Sequence, residues 1–146
     1  MSDQLSIHNL IYKYARLVDD GNFGGVGELF SAGKLVFLDD TNETEVSGSE
    51  NITSLYESTT RRYEDGTPKT HHATSNIELE ITGDIAFATS YFTVFQQLPD
   101  FPLQVIIAGY YRDEFSKQDA VWSFTRRSIK VTLVGDTSRH LLISLT

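Results

Sequence analysis

The sequence predicts an α+β fold in which N-terminal helices pack on the concave side of a strongly curved, mainly antiparallel sheet, a cone-shaped barrel. Apolar residues recur with the helical period in the first part of the chain, and from residue 69 onward they alternate with the period of a strand. Helices followed by a meander of strands is the α+β pattern. No repeat, linker or low-complexity segment interrupts the 146 residues, so we expect one domain spanning 1–146.

The composition argues against several kinds of binding partner. The net charge is −8 and the basic residues are scattered, with Arg61-Arg62 and Arg126-Arg127 the sole adjacent pairs, which argues against nucleic acid. No apolar run approaches the roughly 18 residues that span a bilayer, and the N-terminus does not resemble a signal peptide. The chain has 0 cysteines, so thiolate metal sites and disulfides are excluded. We expect a soluble, cytoplasmic protein with no membrane partner.

The first helix carries an apolar stripe with spacings of three and four residues: Ile7, Leu10, Ile11, Tyr14, Leu17 and Val18. Gly21 is a natural left-handed terminator, so the helix should end near Asp19-Asp20. A short second helix is predicted over Phe23–Phe30, although three glycines weaken it.

A strand at Leu35–Leu38 follows, and then a third helix over Glu50–Tyr63, capped by Ser47 or Ser49 and ended by the turn at 65–68. The remaining strands are predicted around the alternating Ile77, Leu79 and Ile81, and over three further runs: Ile85–Gln97, Leu103–Lys117 and Val121–Val134. These runs exceed the usual five or so residues, so the sheet must twist and curl.

A curved sheet closed by helices leaves an apolar interior, the usual place for a small-molecule pocket. The candidate lining residues are aromatic, and each could equally be core: Tyr14, Phe37, Tyr91, Phe95, Tyr111, Phe115, Trp122 and Phe124. Of these, we predict that the substrate-binding residues are Phe37, Tyr91, Phe95, Tyr111 and Trp122.

Asp19 continues the apolar stripe of the first helix. A carboxylate facing an apolar interior has a raised pKa and can act as a base, whereas one that merely ends a helix faces water. The adjacent His71 and His72 point to opposite faces of a strand and cannot easily share a metal ion, so we expect none. One of them could pair with Asp19 for proton transfer. His8 and His140 are expected to be structural or exposed.

Several short motifs occur together in a specific order. They are Tyr-x-x-x-Val-Asp at Tyr14–Asp19, His-x-x-x-Asn at His72–Asn76, Gly83-Asp84, Tyr-x-Asp-x-Phe at Tyr111–Phe115, Val121–Phe124 and the segment Gly135–His140. In this order and spacing the chain resembles the SnoaL-like family of the nuclear transport factor 2-like superfamily, with its cystatin-like fold. Scytalone dehydratase and hexachlorocyclohexane dehydrochlorinase are relatives in that superfamily.

The resemblance implies a homo-oligomer, a dimer or trimer, without metal or organic cofactor. It implies that Asp19 and His72 form a base dyad and that Tyr14 and Arg127 help to hold a leaving group. We therefore expect a cofactor-independent lyase or isomerase, dehydratase-like, acting on a small, largely apolar, cyclic substrate. Val18 stands where scytalone dehydratase has a tyrosine, which argues against scytalone itself.

A different class of function is also compatible with the fold. Members of the superfamily include non-catalytic proteins and oxygenase accessory subunits, so the chain could be a ligand-binding or assembly module. Two observations would favour this alternative: a large separation of Asp19 from His72, or a cavity plugged by Phe95, Tyr111 and Trp122.

Strand parity leaves one question open. By strict alternation, His71 shares a face with Ile77, Leu79 and Ile81, so an inward-facing trio would bring His71 into the cavity. His72 faces inward instead if a β-bulge lies between His72 and Ile77, or if the trio packs on the other side of the sheet. The resemblance favours His72.

Overall fold

A computed structural model describes residues 1–145. Three helices and six strands follow in the order α1 (Asp3–Asp19), α2 (Phe23–Leu29), β1 (Lys34–Leu38), β2 (Glu43–Ser47), α3 (Ser49–Thr59), β3 (Thr70–Thr82), β4 (Ile85–Leu98), β5 (Phe101–Gln118) and β6 (Val121–Val134). The strands form one sheet in the order β2-β1-β6-β5-β4-β3, antiparallel except for the parallel pair β1–β6. The predicted fold class is therefore confirmed.

The sheet is curved but does not close into a complete barrel. Within residues 1–145, β2 and β3 are its two edges, and they are not hydrogen-bonded to each other. The helices close the open side instead, because α1 contacts β3 and α3 contacts β2. The apolar faces of the helices and the concave face of the sheet join in a single buried cluster, which holds Ile7 and Ile11 of α1 together with Phe92, Phe115 and Phe124 of the strands.

Helix α1 is fixed at both ends by local chemistry. The side chain of Ser2 accepts a hydrogen bond from the amide of Leu5 at 3.1 Å, which caps the first turn. Gly21 has a φ of 71°, and a Cβ there would lie 1.9 Å from the carbonyl oxygen of Gly66. Glycine is therefore required both for the left-handed backbone and for the close approach. The helix ends at Asp19, as predicted, and this places the Asp19 carboxylate beside β3.

Two local predictions in the middle of the chain are wrong. Helix α3 starts after Gly48 without any side-chain cap, and it ends at Thr59, before Tyr63. It stops there because Thr60 forms a bridge with Leu141 and the amide of Leu142 donates to the carbonyl oxygen of Thr59. Strand β2 was not predicted, since this edge strand exposes polar residues on both faces and lacks apolar alternation.

Strand β3 contains a β-bulge. Its pairing with β4 shifts register between Ser75 and Glu78, and Asn76 within this gap has a left-handed φ of 54°. The extra residue puts His72 on the same face as Ile77 and Leu79, both of which pack against the core. The parity question is thereby answered, since His72 faces the concave side while His71 is exposed.

No helix among residues 1–145 is long and apolar enough to cross a membrane.

The bulge predicts the outcome of a substitution at Asn76. A left-handed backbone costs a β-branched residue about 1–2 kcal/mol, whereas glycine adopts it freely. We expect Asn76→Val to lower the free energy of unfolding by about that amount and Asn76→Gly to change it little. Urea denaturation of the two variants measures the difference, and equal transition midpoints would show that the bulge does not form in solution.

Candidate functional site

A cavity of about 860 Å³ lies between the helices and the concave face of the sheet and opens to solvent. Its size falls in the range of pockets that hold small organic ligands. Most of the wall is apolar, and a few polar side chains interrupt it. The apolar part includes Val18, Phe37, Leu55, Phe92, Val94, Ile107 and Ile129, and the polar part includes Tyr14, Tyr56, Tyr111, His72 and His140.

Asp19 and His72 are in direct contact at one wall of this cavity. The ring Nδ1 of His72 lies 2.6 Å from Oδ1 of Asp19, and the backbone N–H of His72 donates to Oδ2 at 2.8 Å. The hydroxyl of Thr70 donates to Oδ1 at 2.8 Å. The side chain of His72 is 9% exposed and that of Asp19 is 21% exposed. His72 lines the cavity and Asp19 does not, so the carboxylate sits behind the imidazole.

The protonation state of Asp19 differs from the sequence-based expectation. Burial raises the pKa of Asp19, but the hydrogen bonds and charge of His72, together with the Thr70 hydroxyl, outweigh burial and hold that pKa below its ordinary value. The expectation of a raised pKa is wrong, and Asp19 is ionised at neutral pH. An ionised carboxylate can only accept hydrogen bonds, so Nδ1 of a neutral His72 carries the proton. Nε2 is then the nitrogen left for a ligand.

Three tyrosines form a neutral polar patch in the cavity. The hydroxyls of Tyr14 and Tyr56 share a hydrogen bond, and the ring of Tyr14 meets that of Tyr111 edge-on at 5.8 Å between centroids. Burial raises the pKa of Tyr14, Tyr56 and Tyr111, so all three are phenols that can donate hydrogen bonds. Tyr56 was not among the residues predicted for the site. Its four-residue spacing from Ile52 on α3 was the available signal.

Arg127 does not reach the cavity. Its side chain is 0% exposed and forms a two-pronged ion pair with Asp113, with Nε–Oδ1 at 2.8 Å and Nη2–Oδ2 at 2.9 Å. The guanidinium lies 3.7 Å from the ring centroid of Tyr111 and 4.5 Å from that of Tyr14. The predicted direct contact with a leaving group therefore needs correction, because Arg127 supports the two tyrosine rings that do line the cavity.

Three of the five predicted substrate-binding aromatics lie elsewhere, and the prediction for them is wrong. Tyr91 is 57% exposed on the outer face of β4, where Phe95 lies beside the ring of His71. Trp122 donates from Nε1 to Asp3 near the start of α1, at 2.9 Å. Phe37 and Tyr111 do line the cavity. On β4 the residues that line the cavity are Phe92 and Val94. Neighbouring residues of a strand point to opposite faces, so Tyr91 and Phe95 face outward.

His140 is a cavity residue that the sequence analysis placed in an exposed or structural role. It is 5% exposed and lines the cavity with His72. Burial and the nearby charge of His72 lower the pKa of His140 to about 4, against a smaller opposite effect of Asp19. The segment Gly135–His140 was noted as a motif. Its return to the end of α3 is a long-range contact that local patterning does not reveal.

Among residues 1–145, no three His, Asp or Glu side chains are grouped so that they could share a metal ion.

The fold is the cystatin-like fold seen in a nuclear transport factor 2-like protein. The sequence matches the SnoaL-like domain over residues 1–128, so the chain belongs to the SnoaL-like family. This confirms the resemblance. No functionally curated protein sequence matches the chain.

Solved structures from Novosphingobium aromaticivorans share the fold. One is a nuclear transport factor 2-like protein with a cystatin-like fold, with 20% identity, TM-score 0.71, and coverage of 94% of this chain and 86% of that one. A candidate scytalone dehydratase has 19% identity and TM-score 0.71, over 92% of this chain and 87% of its own. The beta subunit of a candidate aromatic-ring-hydroxylating dioxygenase has 17% identity and TM-score 0.71, over 96% of each chain. At these identities the likeness concerns the fold alone.

The depressed pKa of His140 predicts a pH dependence of stability. The unfolded chain protonates this histidine near its ordinary value of 6.5, while the folded protein resists protonation down to about 4. The folded state therefore loses stability as the pH falls through this interval, and the loss is complete below it. The total is about 3 kcal/mol, since each pKa unit corresponds to about 1.4 kcal/mol.

The comparison that isolates this effect is between the wild type and His140→Gln, with urea unfolding measured at several pH values in this interval. The wild type should lose more stability than the variant as the pH falls. Parallel pH profiles would contradict the buried, neutral state of His140.

Proposed function

We propose that the protein is a cofactor-independent lyase, dehydratase-like, that eliminates water from a small, largely apolar, cyclic substrate. The observation that carries this proposal is the contact between Asp19 and His72 at the cavity wall, which leaves Nε2 of the imidazole for a ligand. An isomerase using the same proton abstraction is the closely related possibility. In that case the proton returns to another carbon and nothing leaves.

In this proposal Nε2 of His72 accepts a proton from a carbon next to an electron-withdrawing group. The electron pair of that C–H bond forms the new C=C bond, and the C–O bond on the neighbouring carbon breaks. The imidazolium that results is stabilised by the ionised Asp19 behind it. The departing hydroxyl needs one proton to become water, and His72 holds the proton removed from carbon, so transfer of that proton restores the resting protein.

The leaving oxygen would be received by the tyrosine patch. Tyr14 and Tyr56 are neutral, line the cavity and share a hydrogen bond. One hydroxyl donates to the other and polarises it, and the O–H of the second can donate to a developing negative charge. Arg127 would act through the rings of Tyr14 and Tyr111. It is a positioning residue in this scheme.

Two features support catalysis over the alternative of a non-catalytic module. Nδ1 of His72 lies 2.6 Å from Oδ1 of Asp19. Of the three residues that could have plugged the cavity, Phe95 and Trp122 lie elsewhere, and Tyr111 forms part of the wall of a cavity that stays open. A binding or assembly module has no need of a carboxylate held by three hydrogen bonds behind an imidazole. An oxygenase accessory subunit would instead copurify with a catalytic partner.

Substitutions in the dyad should remove turnover. We expect His72→Gln and Asp19→Asn each to lower the rate by roughly 10²- to 10⁴-fold, the usual contribution of acid–base assistance. The assay follows deuterium exchange into cyclohexanone in D₂O and formation of cyclohexenone from its β-hydroxy precursor, since both begin with abstraction of a proton next to a carbonyl.

The chain offers two matched controls for this experiment. His71→Gln and Asp20→Asn make the same chemical changes one residue away, at exposed positions, and should keep full activity. Full activity in both dyad variants, or no activity of the wild type on either substrate, would contradict the proposal.

The quaternary structure stays a prediction, a dimer or trimer of identical chains. The outer face of the sheet exposes large apolar side chains, which a second copy of the chain could cover: Ile85, Phe87, Tyr91, Val105 and Leu133. Sedimentation equilibrium should give two or three times the mass of one chain, and Phe87→Lys should shift that mass towards the monomer. A monomer at all concentrations would contradict the prediction.

A further inference from the structure

His140 takes no part in the reaction scheme above, yet it is built into the same cavity. Its side chain lines the wall with His72, the residue is 5% exposed, and Nδ1 has no hydrogen-bond partner in the part of the chain that the structure describes. A buried polar atom without a partner costs free energy comparable to a lost hydrogen bond. Nδ1 is enclosed by protein and out of a ligand's reach, so Nε2 is the ring nitrogen left to face the cavity.

The backbone that carries the His140 ring is held by hydrogen bonds on both sides. The carbonyl oxygen of His140 accepts from the amide of Arg61 at 2.8 Å, and its own amide donates to the carbonyl oxygen of Thr137 at 3.0 Å. The carbonyl oxygen of Arg139 accepts from Nε2 of Gln96 at 3.0 Å and from the hydroxyl of Tyr63. These hydrogen bonds hold the backbone of His140 at the cavity wall.

The charges around the cavity exclude an anionic ligand. Lys130 is the single lysine or arginine among the described lining residues, and its ammonium is bound to Asp40 at 2.8 Å. Asp39 adds a further negative charge at the same wall. The pair of Asp19 and His72 carries no net positive charge even when the imidazole is protonated. A carboxylate or phosphate would lose its hydration without gaining a counter-charge, so the ligand is uncharged.

We propose that His140 donates a hydrogen bond to the carbonyl oxygen of an uncharged cyclic carbonyl substrate, so that the neighbouring C–H bond faces Nε2 of His72. This inference rests on the proposed function and names its substrate class. When His72 takes the proton, the negative charge develops on that carbonyl oxygen, where a preorganised donor stabilises it. The enolate then expels the β-hydroxyl group, and the carbonyl is restored with a conjugated double bond.

The chemistry of a neutral imidazole suits this role. It has one N–H donor and one acceptor nitrogen, and the acceptor cannot assist an enolate. Among the described residues no group accepts a proton from Nδ1, so the single N–H of the neutral ring can sit on Nε2, the nitrogen left for a ligand. Since the pKa of His140 is lowered to about 4, the ring stays uncharged at neutral pH beside the imidazolium that forms on His72.

The test uses carbon-13-labelled cyclohexanone as the probe, with the wild type and His140→Phe. Infrared difference spectra of the bound probe should show a lowered carbonyl stretching frequency in the wild type and none of this shift in the variant. Binding should weaken by about 3- to 10-fold, the effect of one hydrogen bond. Methylenecyclohexane has the same shape without the oxygen, so it should bind both proteins equally.

Two further measurements keep the test decisive if His140→Phe folds poorly. His140→Gln retains a donor and should keep part of the frequency shift. In the wild type labelled with nitrogen-15 histidine, cyclohexanone should move the ring resonances of His140 and methylenecyclohexane should not.

Failure of this inference is separable from failure of the proposed function. His72→Gln should slow deuterium exchange into cyclohexanone by roughly 10²- to 10⁴-fold and leave the carbonyl frequency shift intact. An unchanged carbonyl frequency in His140→Phe, with exchange still dependent on His72, would overturn the role of His140 alone. Exchange at the wild-type rate in His72→Gln would instead overturn the dyad.

Discussion

The carboxylate of Asp19 joins the last residue of α1 to the start of β3, and the arrangement of the cavity depends on this junction. A negative charge at a helix C-terminus is disfavoured by the helix dipole, so it needs donors. The Thr70 hydroxyl, the His72 amide and the His72 ring supply them. One residue thereby anchors the sheet edge to the helix and sets the orientation of the imidazole. In the proposed function it would also supply the counter-charge for a proton taken from a substrate.

Two other structural features shape the cavity around the contact between Asp19 and His72. The bulge at Asn76 lets β3 turn both His72 and the apolar pair Ile77 and Leu79 toward the same side, so the strand can serve the cavity and the core together. The buried pair of Arg127 and Asp113 lies beside the rings of Tyr111 and Tyr14. Removing one partner of such a pair is costly, because the other charge is left buried and uncompensated. The polar side chains of an otherwise apolar cavity wall are thus held by charged residues behind them: Asp19 holds His72, and Arg127 holds the tyrosine rings.

The sequence predicted those features that local patterning determines. The change of period from helix to strand gave the fold class, and Gly21 marked the end of α1. The pairing of Asp19 with His72 came from the resemblance, because residues 53 positions apart have no local signal for contact. The bulge was one of two open alternatives, since asparagine tolerates a left-handed backbone without requiring it. Tyr91 and Phe95 were assigned to the wrong face for a related reason, because alternation does not say which face is inside. His140 was missed because its burial depends on a bridge between Thr60 and Leu141.

In the proposed function, Asp19 holds the proton of His72 on Nδ1 and leaves Nε2 as an unprotonated base toward the cavity. Long-range proton–nitrogen NMR on protein labelled with nitrogen-15 histidine, at mildly alkaline pH, reads this tautomer directly. We expect a protonated Nδ1 and an unprotonated Nε2 for His72, with the preference lost in Asp19→Asn. A proton on Nε2, or a tautomer that Asp19→Asn leaves unchanged, would show that Asp19 does not set the protonation of the ring.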